Sequence, residues 1–141
     1  MIDSILIPTD GSKEAKNAVE YGLDLAELTG AEVHALYVAE THASYILTVG
    51  LNDDSLEKLE EYGEETVTEV VSKADERGLA AKGIIRRGKV APETVEYAKE
   101  AGIDQIVIGR QGRGAVEQYL GSTAEKVVRM SEKDVTVVHS N

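Results

Sequence analysis

The chain has 141 residues, the size of a single domain, and its 26 acidic and 15 basic side chains give a net charge of −11. This balance argues against a partner that is nucleic acid or an anionic membrane, because both require a positive field over phosphates. Cysteine is absent, which excludes disulfides and thiolate chemistry, and no membrane-length apolar run or signal-peptide pattern occurs, so we expect a cytoplasmic protein.

The predicted elements alternate between short apolar strands and charged amphipathic helices. The first strand covers residues 5–9 and the first helix residues 12–29, which Gly30 ends because glycine tolerates the left-handed conformation. The other elements, in chain order, are strand 33–38, helix 53–77, strand 80–86, helix 91–101, strand 103–108, helix 122–131 and strand 135–138. Trp and Phe are absent, so the core must consist of Val, Ile, Leu, Ala and some of the six Tyr.

Five strands that alternate with four helices predict right-handed crossovers and a mainly parallel sheet. We therefore expect one doubly wound, Rossmann-like α/β domain over residues 1–141, with helices on both faces of an open sheet. The alternation by itself leaves the order of the strands open.

The carboxyl ends of the strands form the predicted ligand-binding edge, because ligands of such sheets bind there, where the strand order reverses. The residues just after the first four strands are 8–12, 38–40, 86–88 and 109–114. Four of the six arginines fall on this edge, namely Arg86, Arg87, Arg110 and Arg113. They either make a basic region for a ligand or are rim residues paired with glutamates, and the sequence leaves both interpretations open.

A glycine-rich stretch after the fourth strand is a candidate phosphate-binding site. Gly109 and Gly112 flank a turn, and Gly121 precedes Ser122 and Thr123 at the start of the fourth helix. Glycine lets main-chain N–H groups approach an anion, and a helix N-terminus adds unpaired N–H groups and a partial positive charge. The alternative is structural, with glycines that form a tight turn and a serine or threonine that serves as the N-cap.

Asp10, at the end of the first strand, has two plausible roles. Its carboxylate can accept hydrogen bonds from a ribose or an adenine amino group, or it can cap the turn that leads into the first helix. The turn Asp10-Gly11-Ser12 stands where a dinucleotide fingerprint would begin, and the P-loop string is absent as well. Phosphoryl transfer by either of those loops is therefore unsupported.

No residue pattern predicts catalysis or a protein-built metal site. The histidines His34, His42 and His139 lack metal-ligand spacing, and no nucleophile-elbow string occurs.

The last strand, within residues 134–139, carries no charge between its end residues, Asp134 and His139. At a sheet edge it could pair with a second copy, so we predict a homodimer through this strand; the alternative is a strand covered by helices of the same chain. The segment 39–52 is too apolar for a solvated loop, and it is open whether it forms a short helix, a lid or a partner surface.

Together these strings resemble the universal stress protein family over the whole chain. The opening Ile-Leu-Ile-Pro-Thr-Asp-Gly-Ser looks like that family's first strand and turn. The stretch 107–129 is similar to its ATP-binding signature, which reads Gly, two residues, Gly, nine residues, then Gly-Ser/Thr. The resemblance implies a parallel sheet of order 3-2-1-4-5, a dimer through the fifth strand, and binding of ATP with Mg²⁺ near the phosphates.

The resemblance also implies the ligand-binding residues, carried over by matching position. Those implied for adenine and ribose are Pro8, Thr9, Asp10 and Val38. Those implied for ribose and phosphates are Ile108, Gly109, Gly112, Gly121, Ser122 and Thr123, to which Arg113 adds a positive charge.

The chain departs from the family pattern at two places. Eight residues, 113–120, separate Gly112 from Gly121 where the pattern has nine, and Asp134 replaces the usual proline before the last strand. We expect an ATP-binding stress protein that acts as a nucleotide-responsive switch, with at most slow, incidental hydrolysis. The alternative is a dimeric stress protein that does not bind ATP and works through an unidentified protein partner.

Overall fold

A computed structural model describes residues 1–40, 53–110 and 120–139. The strands are β1 (Ser4–Pro8), β2 (Glu32–Glu40), β3 (Ala81–Gly88), β4 (Gln105–Gly109) and β5 (Asp134–Val138). The α-helices are α1 (Lys16–Thr29), α2 (Asp53–Glu76), α3 (Val90–Glu100) and α4 (Ser122–Met130), and a 3-10 turn (Lys13–Ala15) precedes α1. Most of the segment that was too apolar for a plain loop, residues 41–52, lies outside the described residues.

The sheet has the order β3-β2-β1-β4-β5, and every pair of neighbours is parallel. This is the order that the family resemblance implied and that the alternation of elements left open. β1 lies between β2 and β4, so the chain moves outward to one side after β1 and to the other side after β3. The carboxyl ends of β1 and β4 therefore border the crevice where such a fold binds ligands.

Helices cover both faces of the sheet, because side chains alternate between the faces along each buried strand. One apolar cluster joins Ile5 and Ile7 of β1 to residues of α1 and α2, such as Leu23 and Val70. The other cluster lies on the opposite face and joins β-strand residues to α3 and α4; its members include Leu6, Leu36, Ile106, Ala98 and Val127. Aliphatic residues dominate both clusters, and no aromatic residue is among the fully buried side chains of the described ranges.

The structure corrects several predicted boundaries, and one correction bears on the site. β3 continues to Gly88, because its main chain stays paired with β2 through Ala39–Arg87 and Glu40–Gly88. Arg86 and Arg87 are therefore residues of the strand and do not belong to a loop after it. The end of α1 agrees with the prediction, with Gly30 in the left-handed conformation at φ 75°.

Candidate functional site

A cavity of about 600 Å³ opens at the carboxyl ends of β1, β2 and β4, a volume that is typical of small-molecule sites. It is lined by Pro8, Thr9, Asp10, Ala15, Leu36, Tyr37, Val38, Glu40, Leu59, Tyr62, Val90, Ile108, Gly109, Arg110, Gly121, Ser122, Thr123 and Ala124. All the described residues that the resemblance assigned to ligand binding are among them. Gly112 and Arg113 lie outside the described residues.

The turn after β1 is fixed by short local hydrogen bonds. The Thr9 N–H donates to the carbonyl oxygen of Leu36 over 2.9 Å, and the Gly11 N–H donates to Thr9 Oγ1 over 3.2 Å. Asp10 Oδ1 accepts the Ser12 N–H over 2.8 Å, so Asp10 has the turn-forming role that was one of its two interpretations. The same side chain lines the cavity, and a carboxylate has further acceptor positions, so a role toward a ligand is compatible with this bond.

The start of α4 lies beside the end of β4. The Arg110 N–H donates to the carbonyl oxygen of Val138 over 2.7 Å, and the Arg110 carbonyl oxygen accepts the Gly121 N–H over 2.8 Å. Gly121 is the N-cap residue of α4, and Ser122 and Thr123 are its first two helical residues. The interpretation of a serine or threonine N-cap is therefore wrong.

The first turn of α4 has the geometry of an anion site. A helix leaves the N–H groups of its first turn without intrahelical partners, and a glycine N-cap has no side chain to satisfy them. These groups and the helix dipole place partial positive charge at the cavity wall that Ser122 and Thr123 form.

Two of the four arginines expected at this edge belong to ion pairs elsewhere. Arg86 donates to Glu93 and Glu100, and its guanidinium lies 5.2 Å from the centre of the Tyr97 ring. The hydrogen bond to Glu100 is the main cause that raises the pKa of Arg86.

Arg87 binds Glu60 of α2 through two hydrogen bonds of 2.7 and 3.0 Å, and this contact lowers the pKa of the Glu60 carboxyl. Neither Arg86 nor Arg87 lines the cavity, so the rim interpretation is correct for both.

Arg110 is the arginine that lines the cavity within the described part of the chain. Its Nη1 lies 3.2 Å from Nδ1 of His139, just beyond β5. Because a guanidinium only donates hydrogen bonds, Nδ1 of His139 is the acceptor in this contact. Among the described residues, the acidic side chains at the cavity are Asp10 and Glu40, and Arg110 and the helix terminus supply the positive charge there.

Sequence reasoning missed the contribution of α2 to the cavity. Leu59 and Tyr62 are one helical turn apart and both line it. The apolar periodicity of the predicted helix 53–77 puts Leu59 on its inward face, which is a partial signal, but the rule that ligands lie at strand ends directs attention to loops. Tyr62 was not predicted at the site, since its sequence position is more than 50 residues from the β1 turn.

The described ranges contain no cluster of three or more His, Cys, Asp or Glu side chains with the geometry to hold a metal ion. In the same ranges, no helix combines the length and the apolar character needed to cross a membrane.

Comparisons with known proteins agree on one family. The sequence model of the universal stress protein family matches residues 1–139. Universal stress protein MJ0531 of Methanocaldococcus jannaschii is 35% identical over 136 residues, which cover 95% of this chain and 80% of that protein. The solved structure of protein MJ0577, from the same organism, has 30% identity and a TM-score of 0.87, and the match covers 100% of this chain and 98% of that one.

A universal stress protein from Archaeoglobus fulgidus, solved in complex with dAMP, matches with a TM-score of 0.69 and 22% identity. The match covers 97% of this chain and 98% of that one, and at this identity it supports the fold alone.

Proposed function

The chain belongs to the universal stress protein family, and from this we propose that it binds ATP in the cavity and acts as a nucleotide-responsive regulator in a stress response. One observation carries the proposal: the Asp10 turn and the N-terminus of α4 line the same cavity. The two features have complementary chemistry, since one offers a carboxylate acceptor and the other a positive anion-binding end.

The assignment of the nucleoside end rests on the side chains near β1 and β2. Asp10 accepts hydrogen bonds from the ribose or the adenine amino group, while Pro8, Thr9 and Val38 provide contact surface around it. Val38 is buried together with Ile108 in the apolar cluster below the cavity, so this end is formed by packed residues of the sheet. A preformed apolar wall with a few polar groups is typical of small-molecule sites.

The assignment of the phosphates rests on β4 and α4. Among the described residues, those that line the cavity from this side carry main-chain N–H groups at the start of α4, the hydroxyls of Ser122 and Thr123, and the Arg110 guanidinium as donors. Donors of this kind bind phosphate oxygens without a dedicated sequence of P-loop type.

The side chains present fit Mg²⁺ as an ion that arrives with the triphosphate. The described residues include no group of three metal-binding side chains, and magnesium in nucleotide sites usually takes most of its ligands from phosphates and water. Ser122 and Thr123 supply hydroxyl oxygens at the phosphate end, and the ion would neutralise phosphate charge there. We propose a binding role, in which any hydrolysis of ATP is slow and incidental.

The dAMP complex of the Archaeoglobus fulgidus protein supports the choice of an adenine nucleotide. That protein has the same fold, so an adenine nucleotide is compatible with this architecture. We extend this to the present chain on the strength of its own cavity and of the residues that line it.

Calorimetric titration of Mg-ATP into nucleotide-stripped protein tests the proposal. We expect saturable binding, and the absence of heat at high micromolar ATP would overturn it. A Gly112→Val variant tests the glycine stretch beyond the described residues. We expect it to bind both ATP and inorganic triphosphate more weakly, and unchanged affinity would mean that this glycine serves only as a turn.

A homodimer through β5 is the second part of the proposal. β5 is at one end of the sheet order, with β4 as its neighbour, and its Val135, Val137 and Val138 are only partly buried. An edge strand offers unpaired N–H and C=O groups to a second copy. Sedimentation of Val137→Lys tests the interface, because a dimer that persists unchanged in this variant excludes β5 as the contact.

The alternative function is a dimeric stress protein that works through a protein partner in the cytoplasm without ATP. The glycine loop that is one residue shorter than the family pattern favours this alternative. The titration separates the two functions, since the alternative requires a dimer that takes up no nucleotide.

A further inference from the structure

Tyr62 joins α2 to the turn that carries Asp10. Its hydroxyl donates a hydrogen bond to the carbonyl oxygen of Asp10 over 3.1 Å, across 52 positions of the sequence. The side chain is 37% exposed and lines the large cavity, so part of its surface faces the space where a ligand would lie.

The turn and the helix fit closely at this contact. A β-carbon added to Gly11 would lie 2.5 Å from the Tyr62 hydroxyl oxygen and 2.8 Å from Thr66 Oγ1, and Gly11 has φ +76°. Any residue larger than glycine at this position would therefore displace the Tyr62 or Thr66 side chain. The absence of a side chain at Gly11 lets the Tyr62 hydroxyl approach the main chain of the turn.

A second tyrosine supports the ring of Tyr62 from the sheet side. The Tyr37 and Tyr62 rings meet edge to face, with centres 5.8 Å apart and planes at 68°, a geometry that is favourable for aromatic pairs. Tyr37 is only 8% exposed. A β-carbon at Gly63 would lie 2.4 Å from the Tyr37 ring, so the ring occupies the space that this glycine leaves.

The two tyrosines lie on the face of the sheet that α1 and α2 cover, while other residues of the cavity come from the opposite face. Tyr37 is part of the cluster with α1 and α2, whereas Val38 and Ile108 are part of the cluster with α3 and α4. The cavity is thus lined by an aromatic ring held in place on one side and by branched aliphatic side chains on the other. A flat, apolar-faced ligand group is complementary to such a space.

We propose that the Tyr62 ring is the wall against which the base of the bound nucleotide lies, so that Tyr62 determines specificity for a purine base. This inference rests on the proposed nucleotide binding and names the group that selects the base. A purine covers more of the ring than a pyrimidine does, so it buries more apolar surface and gains more binding free energy from the contact. Ring–base contact is independent of salt, unlike the phosphate contacts of α4 and Arg110.

Affinities of Tyr62 variants for ATP, UTP, adenosine and inorganic triphosphate test the inference. We expect Tyr62→Leu to weaken the binding of ATP and adenosine by a common factor of about 5- to 150-fold, the range for loss of one aromatic–base stack, and to leave triphosphate binding unchanged. The same variant should also bind ATP with a smaller preference over UTP than the unmodified protein does. Tyr62→Phe keeps the ring but loses the bond to Asp10, so we expect it to retain most of the affinity and the base preference.

The matched control is Tyr21→Leu, since Tyr21 is 46% exposed on α1 and does not line the cavity. We expect its affinities to equal those of the unmodified protein. Thermal unfolding of each variant shows that it is folded before titration.

Tyrosine fluorescence gives a second readout, because the chain has six Tyr and no Trp. We expect adenosine to quench the emission, and Tyr62→Phe, but not Tyr21→Phe, to remove most of that quenching. Undiminished ATP affinity in Tyr62→Leu, together with undiminished quenching in Tyr62→Phe, would overturn the inference alone, while nucleotide binding itself would stand. If the unmodified protein binds no ATP, the inference falls with the proposed function.

Discussion

The main-chain N–H of Gly121 donates a hydrogen bond to the carbonyl oxygen of Arg110 over 2.8 Å, which holds the start of α4 beside the end of β4. Arg110 also donates its own N–H to Val138. Both contacts use main-chain atoms of Arg110, so its side chain can be replaced without breaking them. The positive charge at the cavity can therefore be tested separately from the position of α4.

We expect Arg110→Gln to weaken ATP binding by about tenfold, the size of one charge-assisted hydrogen bond, and to leave adenosine binding nearly unchanged. The remaining ATP affinity should depend less on salt, because one screened charge contact is gone. Calorimetric titration at low and high salt measures both effects.

The control for this change is Arg129→Gln, which removes the same charge from α4. Arg129 pairs with Glu125 over 2.6 Å and does not line the cavity. An equal loss of ATP affinity in both variants would mean that only the net charge of the chain matters.

The two roles of Asp10 can be separated with two substitutions. Asn keeps an oxygen that accepts the Ser12 N–H, so Asp10→Asn should fold with nearly unchanged stability and bind ATP about tenfold more weakly. Asp10→Ala loses the turn bond as well, and we expect a further loss of about 0.5–2 kcal/mol in the free energy of unfolding. Inorganic triphosphate should bind equally well to the unmodified protein and to Asp10→Asn. If both substitutions left ATP affinity intact, Asp10 would serve the turn alone.

The carboxylate of Asp104 should make a pH-dependent contribution to the stability of the fold. Its Oδ2 accepts the N–H groups of Asp3 and Ser4 over 2.8 and 3.2 Å, and these main-chain bonds lower the pKa of the carboxyl. A pKa that is lower in the folded state stabilises the fold above the unfolded value, near pH 4, and this gain is lost as the pH falls through the folded pKa. The unfolding free energy of the unmodified protein should therefore exceed that of Asp104→Asn at pH 7, with a gap that narrows below about pH 4.

Urea unfolding of both proteins across this pH range measures the gap. Asp75→Asn, which changes an exposed carboxylate near the end of α2, is the control and should show no comparable narrowing. If the difference in unfolding free energy between the unmodified protein and Asp104→Asn stayed constant from pH 7 to pH 3, the carboxylate of Asp104 would make no pH-dependent contribution to stability.

Gly22 in α1 should resist replacement although alanine is the better helix former. A β-carbon there would lie 2.4 Å from Cδ1 and 2.9 Å from Cγ1 of Ile7, which is fully buried. Alanine would gain about 1 kcal/mol of helix propensity, but overpacking of a full core costs about 1–3 kcal/mol. We expect Gly22→Ala to be destabilised on balance.

A double-mutant cycle checks the cause. Ile7→Val removes Cδ1, and alone it should cost about 0.5–1.5 kcal/mol. The double variant should lose less unfolding free energy than the sum of the two single losses, because the smaller valine side chain relieves the contact with the new β-carbon. Simple additivity would place the origin of the effect elsewhere in α1.

The predicted elements agree with the structure where local physics decides them. Gly30 ends the first helix with a positive φ, as predicted, and Gly78 and Gly102 follow helices with a positive φ in the same way. The end of the third strand was predicted at residue 86, two residues before its actual end at Gly88, because two adjacent charges look like the end of a strand. The strand continues there because its main-chain pairing with β2 does not depend on the charge of the side chains. In addition, Glu100 and Glu60 form ion pairs with the guanidinium groups of Arg86 and Arg87.

The class of fold and the turn at Asp10 can be read from the amino-acid sequence, because they follow from hydrophobic periodicity and from contacts between residues close together in the chain. The contact of Tyr62 in α2 with Asp10, and the capping of α4 by Gly121 in preference to Ser122, become visible in the folded chain. The Tyr62–Asp10 contact joins residues that are far apart in the chain. Contacts such as Tyr62–Asp10 depend on the direction in which a packed helix presents each face, and on the space that Gly11 and Gly63 leave for an aromatic ring.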